Sequence, residues 1–139
     1  MPRQAESSCG ETGDELSVDL SKYHGQNRLL IVFGPSAEDV HYKTQMAEMA
    51  VDQDGLEERD VVMLTVVHDG VSKEAEEVLT AAQAAALRIE FDVAPDSFMV
   101  VLVGKDGAVK LQKDRPVTMR ELFDKIDSMP MRQAEMKAR

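Results

Sequence analysis

Three side chains of this 139-residue sequence could do acid–base or metal chemistry if the fold brought them together: His41, His68 and Asp69. An imidazole titrates near neutral pH and ligates metals, and a neighbouring carboxylate would orient its ring. His68 and Asp69 follow the apolar run "DVVMLTVV", and His41 lies shortly after the run "RLLIVF". If both runs are parallel strands, their carboxyl ends share the edge at which α/β sheets bind ligands. Ser36 and Asp39, in "FGPSAED", join that rim as candidate binding residues. The chain has no HxxH, HxxxH or HxH spacing, so no metal site is expected, and three histidines is an ordinary number. An enzyme built from His41, His68 and Asp69 therefore stands as the alternative to histidines that are only surface residues. Tyr42 is close by, but it falls on the apolar stripe of its own helix and reads as core.

Thiol chemistry meets an obstacle in the same stretch. A reactive thiolate is usually stabilised at a helix N-terminus. Ser36, Glu38 and Asp39 occupy that place, and carboxylates there oppose a second negative charge. The single cysteine, Cys9, cannot form an internal disulfide, which fits a reducing compartment. Its neighbours, "ESSCGETGDE", are acidic and would raise its pKa. A peroxidatic role for Cys9 is the weaker alternative to an incidental tail cysteine.

The bulk properties narrow the partners. The chain is 43% apolar and 30% charged, as ordinary globular sequences are. Its net charge is −10, and residues 114–139 are nearly balanced, so the acidity lies before them. Such a field repels phosphate backbones, so nucleic acid is not an expected partner. The longest apolar runs, "LLIVF" and "FMVVLV", are too short to span a bilayer, so no membrane insertion is expected. No basic start precedes an apolar stretch at the N-terminus. As written, the chain reads as cytoplasmic; removal of a signal would make it secreted or periplasmic.

The elements that must position these residues follow from periodicity. Residues 1–15 are polar and aperiodic and read as a flexible acidic tail, leaving 16–139 as one domain. Leu16, Val18, Leu20 and Tyr23 are placed to form a lid on the core. "RLLIVF" and "DVVMLTVV" read as strands buried on both faces. Between them, Ser36 with Asp39 predicts a helix cap, and Tyr42, Met46, Met49 and Ala50 share one helical face. "DQDG" (52–55) is expected to end that helix. Ala75, Val78, Leu79, Ala82, Ala86 and Ile89 keep helical spacing over four turns. "FMVVLV" and "AVKLQ" flank "GKDG" (104–107), a hairpin signal in which Lys105 is solvated. Thr118 and Glu121 form a capping pair for a helix carrying Met119, Leu122, Phe123 and Ile126. Pro130 interrupts it before "MRQAEMKAR", where Met129, Met131 and Met136 stand among basic residues. Flexible methionines suit either an adaptable interface or packing on the chain's own core. Lys105 and Arg132 are further candidate binding residues.

The resulting order, β-α-β-α-β-β-α, predicts an α/β fold with a four-stranded mixed sheet and helices on both faces. That is the order of the thioredoxin core. "NRLLIVFGPSAED", "ERDVVML", "FMVVLVGKDGAVKL" and "IDSMPMRQAEM" resemble a thioredoxin-like domain of unknown function. That domain occurs in sushi-repeat extracellular-matrix proteins and in small single-domain bacterial proteins. The resemblance implies a thioredoxin-like or peroxiredoxin-like fold with no established catalytic activity; separately, no cofactor is expected. The cis-proline of thioredoxins has no counterpart, since the strand start falls near Phe98 or Met99 and Pro95 is offset. The expected function is a non-redox binding or interaction module for an unidentified protein or small molecule.

Overall fold

The computed structural model describes residues 18–138. Cys9, Leu16 and the expected tail over residues 1–15 lie outside them. The strand β1 (Arg28–Ser36) is buried from Arg28 to Gly34, as a strand with apolar side chains on both faces must be. It pairs in parallel with β2 (Val61–Asp69), register Leu30 to Met63, and antiparallel with β5 (Met99–Val103), register Ile31 to Val101. β6 (Val109–Lys113) closes one edge as the hairpin partner of β5, with Gly107 at φ +84° in the turn. Two short strands, β3 (Ser72–Glu74) and β4 (Glu77–Leu79), extend the other edge. The sheet is six-stranded, in the order β4-β3-β2-β1-β5-β6, and not four-stranded as expected.

Among the described residues five α-helices cover both faces, α1 (Val40–Ala50), α2 (Gln53–Glu58), α3 (Ala81–Glu90), α4 (Met119–Asp127) and α5 (Pro130–Lys137), and a short 3-10 helix spans Leu20–Tyr23. Alternation along β1 divides the core. Leu30 and Val32 face Tyr42, Met49, Leu56, Leu122 and Ile126. Leu29, Ile31 and Phe33 face Ala84, Leu87 and Val93. Each large apolar side chain so buried contributes about 1.5–3 kcal/mol by leaving water. Val18, Leu20 and Tyr23 pack on the second face, where part of the expected lid belongs.

Three local expectations are corrected. Asp39, and not Ser36, caps α1, its carboxylate accepting the Tyr42 N–H at 3.0 Å. Ser36 remains in β1, and its hydroxyl accepts from the Glu38 N–H at 3.2 Å. "DQDG" opens a second helix, because Asp52 caps α2 through the Gly55 N–H.

The third correction is the largest. The four-turn helix expected from Ala75 to Ile89 is a hairpin followed by a shorter helix that begins after Thr80. Thr80 and Gln83 exchange hydrogen bonds in a complete capping box. Upstream, tertiary contacts override helical spacing: Glu74 is buried, receives the Tyr23 hydroxyl and pairs with Lys22 at 3.0 Å. The two-residue turn between Glu74 and Glu77 holds Ala75 at φ +54°. A non-glycine residue there costs about 1–2 kcal/mol, part of which glycine would return through its greater unfolded-state entropy. Ala75→Gly is therefore expected to stabilise the protein by about 0.5–1 kcal/mol. Urea unfolding at neutral pH measures it; a loss of stability would show that the turn does not strain Ala75.

Candidate functional site

The carboxyl ends of β1 and β2 do form one rim. Ser36 and Asp69 are direct partners in the parallel register, so the fold brings these two candidates together. Asp39 stands one turn away, with its carboxylate committed to the α1 cap. The two histidines part company. His41 is exposed on α1 and packs its ring against Phe98, 5.5 Å between centroids, on the face covered by Tyr42 and Met49. His68 alternates to the other face and lines a hollow with Ser72, Leu79, Thr80, Ala81, Ala84 and Arg88. The sheet separates the imidazoles. Among the described residues, no three His, Cys, Asp or Glu side chains gather as metal ligands would.

Lys105 and Arg132 sit at the opposite end of the sheet, and neither is solvated. Arg132 is 1% exposed and Lys105 8%, alongside Arg28 at 1%. The correction for Lys105 has a simple cause: α5 folds back over the end of β5 and brings Glu135 to it. Glu135 receives the Lys105 ammonium at 2.6 Å and both Arg28 terminal nitrogens, at 3.2 and 3.3 Å. Lys105 also reaches Asp60 at 2.9 Å. Arg132 donates to Asp127 at 3.1 Å and to Glu58 at 3.0 Å, and Asp127 takes a bidentate pair from Arg59. The Arg59 guanidinium lies 4.0 Å over the Phe123 ring. Met129 is buried in the core, whereas Met131 and Met136 stay partly exposed. This network was not legible in the sequence, since its members come from five separate segments.

A model of the family described as "Domain of unknown function (DUF4174)" matches residues 19–135. The sushi repeat-containing protein SRPX of Rattus norvegicus is 31% identical over 120 residues, covering 84% of this chain and 26% of that protein. Coiled-coil domain-containing protein 80 of Danio rerio is 29% identical over 133 residues, covering 84% of this chain and 15% of that protein. The chain thus spans about a quarter or less of these relatives. Among solved structures, a reduced 2-Cys peroxiredoxin of Plasmodium vivax aligns with a TM-score of 0.63 at 16% identity, covering 86% of this chain and 85% of the other. Thioredoxin peroxidase I of Plasmodium yoelii aligns with a TM-score of 0.63 at 19% identity, covering 88% and 82%. The fold is mixed α/β and thioredoxin-like. The sequence stretches that carry the resemblance supply the charged network: Arg28, Arg59 and Asp60, Lys105, then Asp127, Arg132 and Glu135.

Burial alone would raise the Glu135 and Asp127 pKa values, but the hydrogen bonds from Lys105 and Arg28, and from Arg59 and Arg132, outweigh it. Both carboxyls are held below their ordinary values of 4.5 and 3.8. A depressed folded-state pKa contributes stability that is present above the ordinary value and is lost as pH falls through the folded one. Glu135→Gln is therefore expected to flatten the loss of stability below about pH 4.5, followed by urea unfolding between pH 6 and 3. Glu135→Ala removes the shared partner of two buried cations, and a cost of about 3–5 kcal/mol at neutral pH is expected. A cost under about 1 kcal/mol would mean that Arg28 and Lys105 find other partners.

Proposed function

We propose, from the premise that this chain belongs to the DUF4174 family of domains of unknown function, that it is a non-redox binding module with its site at the strand-end rim. The observation that carries the reading is the start of α1. The place where a thioredoxin-like scaffold would stabilise a thiolate is taken by the Asp39 carboxylate, which already satisfies a helix N–H. A negative group at the positive end of the helix competes with the thiolate that exchange chemistry requires. The scaffold keeps its topology while this position serves folding.

Two further observations support the reading. The chain corresponds to a fraction of larger relatives, one of them named for its sushi repeats, as a module carried with other domains would. The separation of His41 from His68 by the sheet also removes the constellation on which an enzyme at this rim would rely. The partner is a protein or a small molecule, and the acidity of the chain disfavours nucleic acid. No helix among the described residues is long and apolar enough to cross a membrane.

The experiment is a pair of assays on the full chain: reduction of insulin disulfides, and consumption of hydrogen peroxide with a thiol reductant. Neither rate is expected to exceed that of Cys9→Ser. Peroxide turnover that disappears in Cys9→Ser would overturn the non-redox reading in favour of a peroxiredoxin-like activity.

A further inference from the structure

The hollow beside His68 holds a cation with nothing to balance it. Arg88 lies on α3, and helical side chains lean toward the helix N-terminus, so it runs along the face of Ala84 and Ala81. Its Nη1 is buried and has no hydrogen-bond partner, and among the described residues Arg88 makes no ion pair. Asp92, four residues on, borders the adjoining hollow with Arg88 but forms no salt bridge with it. A guanidinium nitrogen left unpaired in a buried position costs more than an ordinary lost hydrogen bond. Arg28 also has an unpartnered nitrogen, its Nε, but its terminal nitrogens meet Glu135, and Arg59, Arg115 and Arg132 each have a carboxylate on two nitrogens or on two sides; Arg88 has no carboxylate partner.

No carboxylate lines this hollow among the described residues, and Asp92 borders only the adjoining one. His68 comes from the end of β2, and Ala81 is the first residue of α3, where unpaired N–H groups point outward. The Ser72 hydroxyl is already engaged with the Val67 backbone at 2.7 Å and stiffens that wall. The hollow is about 190 Å³, below the range usual for drug-sized ligands. The net charge of −10 opposes anions in general, so attraction for one can come only from the groups lining this hollow.

We propose that this hollow binds a small oxyanion, phosphate or sulfate in kind, with Arg88 as its principal ligand and His68 as a second donor. The proposal rests on the binding-module reading and names the ligand class for its rim. Arginine offers a fixed fork of donors that matches such a group.

The test titrates the full chain with sodium phosphate and sodium sulfate against sodium chloride at matched ionic strength. Amide shifts at Ala81, Ala82 and Gln83, and the His68 ring, are followed by NMR. Saturable shifts confined to these groups are expected, weakened at least tenfold in Arg88→Gln and less in His68→Asn. A parallel arm with methyl phosphate separates sources: tighter binding assigns the site to a phosphomonoester on a larger molecule, and equal binding to the free anion. Because Arg88 has an unpartnered nitrogen, Arg88→Gln should unfold in chloride at a midpoint equal to or above that of the parent. Shifts that fail to saturate, that persist in Arg88→Gln, or a variant that is clearly destabilised would each overturn the proposal. Peroxide turnover through Cys9 would overturn the non-redox reading alone, and a flat titration with an inert thiol would overturn only this one.

Discussion

The fold closes through one carboxylate. Glu135, near the end of the last helix, lies against Arg28 at the start of the central strand and Lys105 at the end of its neighbour. Two cations that are almost wholly buried cannot remain there unpaired, and their removal from water is tolerable only with a partner of this geometry. The path of α4 and α5 follows from that need. Pro130 at the first position of α5 turns the chain so that Arg132 and Glu135 both face the sheet end, where Glu58, Asp60 and Asp127 complete the charge balance.

This arrangement gives the two ends of the sheet different duties. One end is neutralised internally, with every buried cation answered by a carboxylate. At the other, Asp39 serves the start of α1, and the Arg88 guanidinium is left short of partners. Structural demands are met where the chain termini of the elements cross. Arg88 lies toward the carboxyl ends of the parallel pair, the edge where α/β sheets place their ligands, whereas the Nε of Arg28 is unpartnered at the start of β1. The likeness to peroxiredoxins is one of fold, and α1 here begins on the Asp39 carboxylate cap.

Legibility followed range. The strands β1, β2 and β5 could be read because they are apolar runs bounded by turn residues, and the edge strand β6 because the Asp106-Gly107 turn precedes it. The cap at Thr118 was equally local, although Glu121 pairs with Arg115 in place of returning to the cap backbone. The hairpin of β3 and β4 was not legible, since "SKEAEEVL" carries helical spacing and helix-forming residues. Its strand form depends on Glu74 being drawn under Tyr23 and on the free edge of β2. Lys105 was misread as solvated for the same reason: the residue that buries it lies 30 positions away.

By itself the sequence determined the α/β class, the parallel strand pair at the centre, the closing hairpin and the absence of a cysteine where α1 begins. These depend on alternation, turn chemistry and composition, all of which act between near neighbours. Only the tertiary structure decided that the sheet has six strands, that His41 and His68 lie on opposite faces, and that Lys105 and Arg132 are interior ion-pair partners. It also decided that Arg88 and His68 line one hollow. Burial and pairing of charge are settled by which distant segments share a dry volume, and no local pattern records that.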